Sequence, residues 1–521
     1  MDKQKQGYMN KASKKRALTP EYVSPKQMVL AGFETPFERS LNKANRWVVL
    51  AHLIPWDEIC SVYYKHVKIS DTGRPPLNPR IVLGAMIIKH LCNLDDRETV
   101  DLISENVYMQ YFLGYSSFTS EAPFDASLFV EIRKRLGQDA MNAMNEKIAE
   151  LKAHIGEKAE HEDPDDKQNK NQEDIPNKGK VIYDATACPQ DIAYPTDLNL
   201  LNDARKKSEQ LIDLLYSPEL HLKKPRTYCK IARKLYLKTA QKKNKTKKEI
   251  RRAVRAQLGF LKRNLISLNA LLDSYSVIPL KPLEHKYLLV INTLYEQQKQ
   301  MYDTRTHSIE DRIVSIHQPH VRPIVRGKSQ AKVEFGAKIH VSLIEGIAFL
   351  DELSWDAFNE GSHMMEYVEK YHQRFGFYPK ELLADKIYCT RQNRAALKEK
   401  NIKLLAKPLG RPSAVQIHLS PGERNPIEGK FGQAKTGYGL NRIKARLRET
   451  SETWIASIIL VLNLVKLAGL ALPCLFSKLV VSFSARRSLK PITQIYMDYS
   501  ARKKLFSQLF NYQLVEMKIA V

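Results

Sequence analysis

A polar segment at residues 156–177 divides the chain into two parts whose hydrophobic patterns differ. It holds eight acidic and three basic residues, two prolines and almost nothing apolar. A segment of this composition cannot bury enough apolar surface to order itself. The pattern before it is helical, whereas short strand-like runs alternate with helices after it. We therefore expect two differently built parts, joined by a polar acidic linker at residues 156–178.

The first part predicts an all-α domain. Residues 1–40 form a polar, basic arm, and helical patterns follow within residues 41–155. Three of them cover 79–94, 95–114 and 124–137, the last with Asp125 or Ser127 as its cap. Short helices in series that end in a basic one are typical of small helix-turn-helix DNA-binding bundles. An ordinary helical bundle has the same pattern and remains an alternative.

The second part, residues 179–470, predicts an α/β sheet domain. KVIYDAT (180–186) is a strand-like run, and residues 331–356 alternate as in a β-hairpin that turns near Glu345 and Gly346. Shorter strands around 380–385 and 402–407 are separated by helices. A helical, Lys/Arg-rich insertion at about 206–310 interrupts this order, and residues 471–521 form a C-terminal tail. His340, within the hairpin, is expected to be packed and hydrogen bonded.

The charge of the chain indicates a polyanionic partner. The 521 residues include 83 Lys plus Arg against 57 Asp plus Glu, a formal net charge of +26. Residues 221–264 alone carry 17 basic side chains and one acid. Such a stretch favours the DNA backbone, with affinity that falls as salt rises, although a solvated helical face is the alternative. The predicted DNA contacts in this insertion are Lys242, Lys243, Lys247, Lys248, Arg251 and Arg252.

Two other features bear on where the chain works. The most apolar stretch, residues 455–476, is interrupted by Asn463, Lys466 and Pro473, so that its longest clean run is far shorter than the ~20 residues of a membrane span. We expect a buried helix there and no membrane partner. The six cysteines are scattered without any C-x-x-C pair, which fits a reducing cytoplasm.

Three acids are candidates for chemistry. Asp184 and Asp385 each end a predicted strand, and Glu428 opens a late helix. Carboxylates at neighbouring strand ends can converge, and three hard oxygen donors suit Mg²⁺ or Mn²⁺. Two such ions can activate a nucleophile and stabilise the leaving oxygen of a phosphodiester. Acids that merely end strands are common, and they are the alternative.

Basic residues flank the third acid. Arg424 lies four residues before Glu428, while Lys435 and Arg442 follow it at intervals of seven, which predicts one shared helix face. A metal-binding glutamate with cations on its own face could hold a phosphate backbone across the ions. An ordinary solvated basic helix has the same spacing.

Together these segments resemble the DDE-type transposases of bacterial insertion sequences, in the group that includes insertion sequences four, five and eleven-eighty-two. The similarity lies in IYDATACPQDIAYPTDLNLLNDAR around the first acid, LLADKIYCTRQNRAALKEKNIKLLA around the second, and NPIEGKFGQAKTGYGLNRIKARL around the third. Residues 70–137 resemble the domain that precedes the catalytic core. Arg424, Glu428 and Lys435 match the Y-x2-R-x3-E-x6-K signature of the family, whereas Pro421 stands at its tyrosine.

The resemblance implies an RNase H-like catalytic domain whose Asp184, Asp385 and Glu428 bind two Mg²⁺ or Mn²⁺ ions, with Asp184 shared between them. It implies binding to the terminal inverted repeats, strand cleavage and transfer of the freed 3′-hydroxyl to target DNA, by a homodimer in the bacterial nucleoid. Arg424 and Lys435 would contact phosphates near the cleaved bond. A DNA-binding regulator, an inactive remnant, or a metal-dependent nuclease of the same fold without strand transfer are the alternatives.

Overall fold

The computed structural model describes residues 41–67, 77–160, 177–325, 333–406 and 422–484, with backbone only for 152–160 and 470–484. Residues up to Ala468 belong to one compact unit, and residues 469–521 belong to a second. The predicted basic arm, most of the acidic linker and the tail beyond Ser484 lie outside the described residues.

Within the described part of the chain before residue 161, six helices precede the sheet, and several begin at a side-chain cap. Asn45 and Asn78 accept the first free backbone N–H groups of α1 and α3, and Asp95 forms a capping box with Glu98 at α4. The helices are α1 (Arg46–Leu53), α2 (Trp56–His66), α3 (Pro79–Leu91), α4 (Asp96–Glu105), α5 (Val107–Phe112) and α6 (Leu128–Glu160).

Helix α6 differs from the helix predicted at 124–137. It begins at Leu128, after Asp125 accepts a hydrogen bond from the Ser127 N–H, and it continues to Glu160. Gly137 interrupts it at φ +70°, a conformation that glycine adopts readily. The first residues of the predicted linker are therefore helical.

A six-stranded mixed sheet follows. Its strands are β1 (Lys180–Pro189), β2 (Arg322–Val325), β3 (Val333–Ile344), β4 (Ile347–Ser354), β5 (Glu381–Leu383) and β6 (Lys403–Leu405). Strand β3 pairs antiparallel with β1, β2 and β4, whereas β1, β5 and β6 run parallel. The turn between β3 and β4 is at Glu345 and Gly346, both with positive φ, as the sequence predicted. The fold class is thus mixed α/β, and β2 is a strand that sequence reasoning missed.

The two faces of the sheet bury different clusters. Ile182, Val341 and Leu343 belong to a large cluster shared with the six early helices and with α14 (Arg448–Ser484). Val181 and Tyr183, which alternate with Ile182, belong to a smaller cluster under α11 (Met364–Phe375) and α12 (Arg391–Glu399). Asp184 alternates with Tyr183 and therefore lies on the face of the large cluster.

The insertion between β1 and β2 has a core of its own. It consists of α7 (Asp197–Leu215), α8 (Cys229–Ala240), α9 (Lys247–Leu272) and α10 (Pro282–Thr304). Leucines on one face of each long helix build a separate hydrophobic cluster. The helical content that the sequence predicted for the insertion is present, and its charges are therefore carried by a packed bundle.

Helix α14 ties the early helices to the sheet. The Asn463 amide donates to the Asn145 side chain on α6 at 2.7 Å, and its oxygen accepts from the N–H of Ala348 on β4 at 2.8 Å. Trp454 packs beneath the Lys89 ammonium at 4.3 Å, and Thr453 donates to the Arg133 carbonyl. The apolar stretch predicted to be a buried helix is buried up to Leu467.

Among the described residues, one helix segment, Arg448–Gly469, is long and apolar enough to cross a membrane. Most of it is buried inside the molecule, and soluble core helices pass the same test of length and composition.

Candidate active site

Asp184 lies within the long antiparallel pairing of β1 with β3. Strand β1 continues to Pro189, so the prediction that Asp184 ends its strand is wrong. It stands opposite Val341 of β3, and its side chain is only 21% exposed. One carboxylate oxygen accepts the N–H of Ala185 at 2.8 Å. The pairing of β1 with β3 therefore fixes the position of this acid.

Asp385 reaches the same place from the next strand. Strand β5 runs parallel to β1 with Leu383 opposite Ile182, so the chain that leaves β5 runs alongside Asp184. Asp385 caps the short 3₁₀ helix Lys386–Tyr388 by accepting the N–H of Lys386 at 2.7 Å. Its side chain is 58% exposed. The predicted convergence of two strand-borne acids is thus present.

Glu428 is in the first turn of α13 (Asn425–Gly437). Pro426 lies at the start of the helix, where its missing N–H costs nothing, and Ile427 is fully buried against the large cluster. These neighbours fix the helix start, and Glu428 itself is exposed. Its negative charge contributes to the raised pKa of Asp184, so the third acid lies near enough to the first to interact with it electrostatically.

Arg424 joins the two aspartates. Its Nη2 lies 3.3 Å from Asp184 Oδ2 and its Nη1 lies 3.3 Å from Asp385 Oδ1. Its side chain is 21% exposed, and Nε is buried without a hydrogen-bond partner. The residue before it, Glu423, pairs with Lys180 on β1 at 3.2 Å. The guanidinium is therefore held between the carboxylates.

The environment of Asp184 opposes its ionised form. Burial raises the pKa of Asp184, and the charges of Asp385 and Glu428 raise it further. The charge of Arg424 and the N–H of Ala185 lower it, but they do not cancel the rise. A cation near this carboxylate is therefore electrostatically favoured.

The donor chemistry fits a divalent ion, although a finished ligand cage is not formed. Three carboxylates supply hard oxygens of the kind that Mg²⁺ and Mn²⁺ prefer. Within the described ranges, however, no group of three His, Cys, Asp or Glu side chains is close enough together to hold a metal ion. Metal binding therefore requires the three acids to come closer together.

The basic residues predicted around Glu428 separate into two groups. Lys435 is in the last turn of α13, so that it shares a face with Glu428 as predicted. Arg442 lies beyond the end of the helix at Gly437, and the prediction that it shares this face is wrong. Its Nε pairs with Asp191 Oδ1 at 3.0 Å, just after β1. The helix ends before a second repeat of seven residues is complete.

The six predicted cations of the insertion surround one turn between helices. Lys242 and Lys243 precede α9, Lys247 and Lys248 are in its first turn, and all four are exposed. Arg251 and Arg252 occupy the next turn, where Arg251 lies 4.1 Å over the ring of Tyr302. Lys242 pairs with Glu249 at 2.5 Å and is thereby partly neutralised.

Sequence reasoning missed a polar network behind the site. Asp351 of β4 is completely buried and accepts hydrogen bonds from His340, Ser342 and Arg374, those from His340 and Arg374 at 3.1 and 2.8 Å. His340 stacks on Tyr367 and contacts Tyr183, the neighbour of Asp184, at 5.2 Å. The predicted role of His340 as a packed, hydrogen-bonded residue is confirmed. An acid inside the apolar run IAFLDEL was the available signal for this network.

Two family models match the chain. Residues 35–135 match a model described as a transposase domain (DUF772), and residues 382–465 match a model described as a transposase DDE domain. The first range contains α1 to α5. The second contains Asp385, Arg424 and Glu428 but not Asp184.

A curated relative extends the comparison. The chain is 31% identical over 171 residues to an uncharacterized protein, ORF8 in the nfe locus of Rhizobium meliloti. That alignment covers 32% of this chain and 73% of the relative. No solved structure matches the chain.

Proposed function

Because the chain belongs to the DDE-type insertion-sequence transposases, we propose that it binds the ends of its own element and catalyses metal-dependent cleavage and transfer of DNA strands. The observation that carries this proposal is the Arg424 bridge between Asp184 and Asp385, with Glu428 near enough for its charge to act on Asp184. The transposase DDE model supports the same conclusion independently for two of these acids.

The three carboxylates are the proposed metal ligands, in an RNase H-like catalytic domain. A pair of Mg²⁺ or Mn²⁺ ions would supply the Lewis acidity that activates a water or a 3′-hydroxyl and stabilises the leaving oxygen. Asp184 provides the fixed ligand because the pairing of β1 with β3 holds it. Asp385 and Glu428 are exposed and can adjust to the ions and the DNA.

Cations of the chain position the DNA in this proposal. Arg424 and Lys435, which lie before and after Glu428 in the sequence, would hold phosphates near the cleaved bond. Arg442, which follows α13, is proposed as a further DNA contact. The insertion supplies a second contact, from the exposed lysines at the start of α9. The positive end of the helix dipole repels lysines at this position, so they do not stabilise the helix. A DNA phosphate would be attracted both by the lysines and by the helix N-terminus.

The location and assembly belong to the same proposal. We place the protein in the bacterial cytoplasm on nucleoid DNA, as a homodimer that pairs the two ends of the element. No membrane partner is proposed, since the helix of sufficient length found in the described part of the chain is mostly buried in the core.

The decisive test measures cleavage of duplexes that carry the ends of the element, with Mg²⁺ or Mn²⁺. Asp184→Asn, Asp385→Asn and Glu428→Gln are each expected to lower cleavage by at least about 10³-fold, since each removes a metal ligand, while DNA binding persists. Asp303→Asn removes an exposed acid that pairs with Lys299 on α10, away from the three proposed metal ligands, and it serves as the matched control.

Each other outcome identifies an alternative. Cleavage that survives any of the three site changes would show that the site is assigned wrongly. Binding without any cleavage by the unmodified protein would favour the regulator or remnant. Cleavage without joining of the 3′ end to target DNA would favour a nuclease of the same fold.

A further inference from the structure

We propose that Arg424 takes the place of the metal ion in the DNA-free protein, so that DNA must draw this arginine away before the metal ions bind. The inference rests on the proposed function, because it concerns the same acids. It adds that DNA binds before the metal ions and that the binding of each strengthens the binding of the other.

The contacts show that the guanidinium occupies the position of a bridging cation. Each terminal nitrogen of Arg424 faces one aspartate at 3.3 Å, so a single group spans Asp184 and Asp385. The side chain is four-fifths buried, and the Glu423–Lys180 ion pair holds the adjoining backbone against β1. Arg424 and Asp184 are thus both largely buried, whereas Asp385 is the exposed end of the bridge.

A divalent ion and this guanidinium compete for the same oxygens. Asp184 Oδ1 is engaged by the N–H of Ala185, which leaves Oδ2, the atom that faces Arg424. An ion that used this oxygen would lie next to a fixed positive charge, and like charges at such distances repel strongly in a low-dielectric site. Arg424 therefore lowers the affinity for metal as long as it stays between the aspartates.

A DNA phosphate offers Arg424 a better position. Guanidinium groups bind phosphate with two parallel hydrogen bonds. When Arg424 turns to a phosphate, the oxygens of Asp184 and Asp385 become available and their mutual repulsion favours the metal ion. The two binding events must then help each other equally, because coupling between ligands is reciprocal. The site would thus remain without metal until DNA is present.

The test measures Mn²⁺ affinity of the full-length protein from the electron paramagnetic resonance signal of free Mn²⁺, with and without a short DNA duplex. For the unmodified protein, the duplex is expected to tighten Mn²⁺ binding by about tenfold. Arg424→Gln keeps polar atoms but removes the charge, and it is expected to bind Mn²⁺ about tenfold more tightly without DNA. The gain from the duplex should then largely disappear.

Two further variants make the result specific. Arg424→Lys keeps the charge but cannot bridge two carboxylates, so an intermediate affinity is expected, and it replaces the glutamine variant if that protein does not fold. Arg448→Gln removes an exposed charge that pairs with Glu452 on α14 and should leave Mn²⁺ affinity unchanged. Thermal melting verifies that each variant is folded.

The outcomes separate the inference from the function on which it rests. If Asp184→Asn abolishes Mn²⁺ binding but Arg424→Gln does not tighten it, Arg424 does not take the place of the metal ion. The proposed metal site would still stand. If Asp184→Asn changes no Mn²⁺ binding at all, the proposed metal site is wrong and the inference falls with it.

Discussion

Asp351 is a fully buried acid that its hydrogen-bond and charged partners keep ionised. Burial by itself raises the pKa of Asp351, but the hydrogen bond from His340 and the charge of Arg374 outweigh it, and the pKa is lowered. Arg374 also lies 3.5 Å from Glu146 on α6. The ionised carboxylate therefore holds β3, β4 and α11 together directly behind the strand that carries Asp184.

Replacing Asp351 by Asn should lower the free energy of unfolding at pH 7 by about 3–5 kcal/mol, because Arg374 would lose its buried partner. A lowered pKa means that the stabilisation is present above the pKa of the unfolded chain, near 4, and is lost as pH falls through the folded value. The difference between the two proteins should thus shrink below about pH 4. Urea unfolding at several pH values measures it.

The control for this change is Asp303→Asn, which removes an exposed acid paired with Lys299 on α10. Little change is expected there because exposed ion pairs contribute little to stability. A difference between Asp351→Asn and the unmodified protein that stays constant from pH 7 to pH 3 would show that Asp351 is not the ionised centre of the network.

At the level of single residues, local pattern predicted the positions of Asp385 and Glu428 better than that of Asp184. Asp385 and Glu428 are placed as expected, since a strand end and a helix start can be read from local pattern. Asp184 is mid-strand because β1 continues along β3, a long-range pairing that the local pattern does not reveal. The bridge made by Arg424 also depends on three separate segments meeting, which a one-dimensional pattern cannot show.

In the insertion, the positive charge that would bind DNA lies where it destabilises a helix. Helix α9 begins with Lys247 and Lys248, where the dipole disfavours cations, and the Thr246–Glu249 capping box compensates. Hydrogen bonds from Lys242 and Thr246 hold the pKa of Glu249 at about 2. The cap thus keeps the helix start folded while it presents cations outward.

Replacing Lys247 and Lys248 by Gln should reduce the slope of log K for DNA against log salt by about 1–2, because each phosphate contact contributes about 0.9. Filter binding or fluorescence anisotropy between 50 and 200 mM salt measures the slope. The matched control is Lys206→Gln with Lys299→Gln, which removes equal charge from lysines already paired with acids on the same insertion. Equal slopes for the two double variants would contradict a clamp at α9.

Elements of strong local pattern were predicted well. The hairpin turn at Glu345 and Gly346 and the buried character of α14 follow from alternation and from apolar periodicity. Strand β2 was missed because its four residues contain Pro323, which argues against a central strand, and it pairs only with the start of β3. Helix α6 continues to Glu160, well past the end of the helix predicted at 124–137, because the chain resumes helical geometry after the break at Gly137. The polar composition after residue 156 does not prevent the helix from continuing for one more turn.

At the scale of the whole molecule, the early helices and the sheet share their interior. The proposed boundary between an N-terminal domain and a catalytic domain stays a prediction, but one hydrophobic cluster contains Phe129 of α6, Val341 of β3 and Ile458 of α14. Asn463 is hydrogen bonded to both sides within this interior. A helical domain that folds by itself would need a hydrophobic core of its own. Here the early helices, the sheet and α14 contribute side chains to a single core.

This shared interior predicts that the early helices and the sheet unfold together. Asn463→Ala removes the hydrogen bonds that Asn463 makes to Asn145 Oδ1 and to the Ala348 N–H, which should cost about 1–3 kcal/mol for each buried group. One calorimetric transition with a lowered midpoint is therefore expected, and hydrogen exchange should quicken in α6 and β4 alike. Thr436→Ala, which removes an exposed hydroxyl on α13, should leave both unchanged. If exchange quickens in β4 alone and α6 keeps its protection, the helices fold independently of the sheet, and the residues before the linker form a domain in the energetic sense as well.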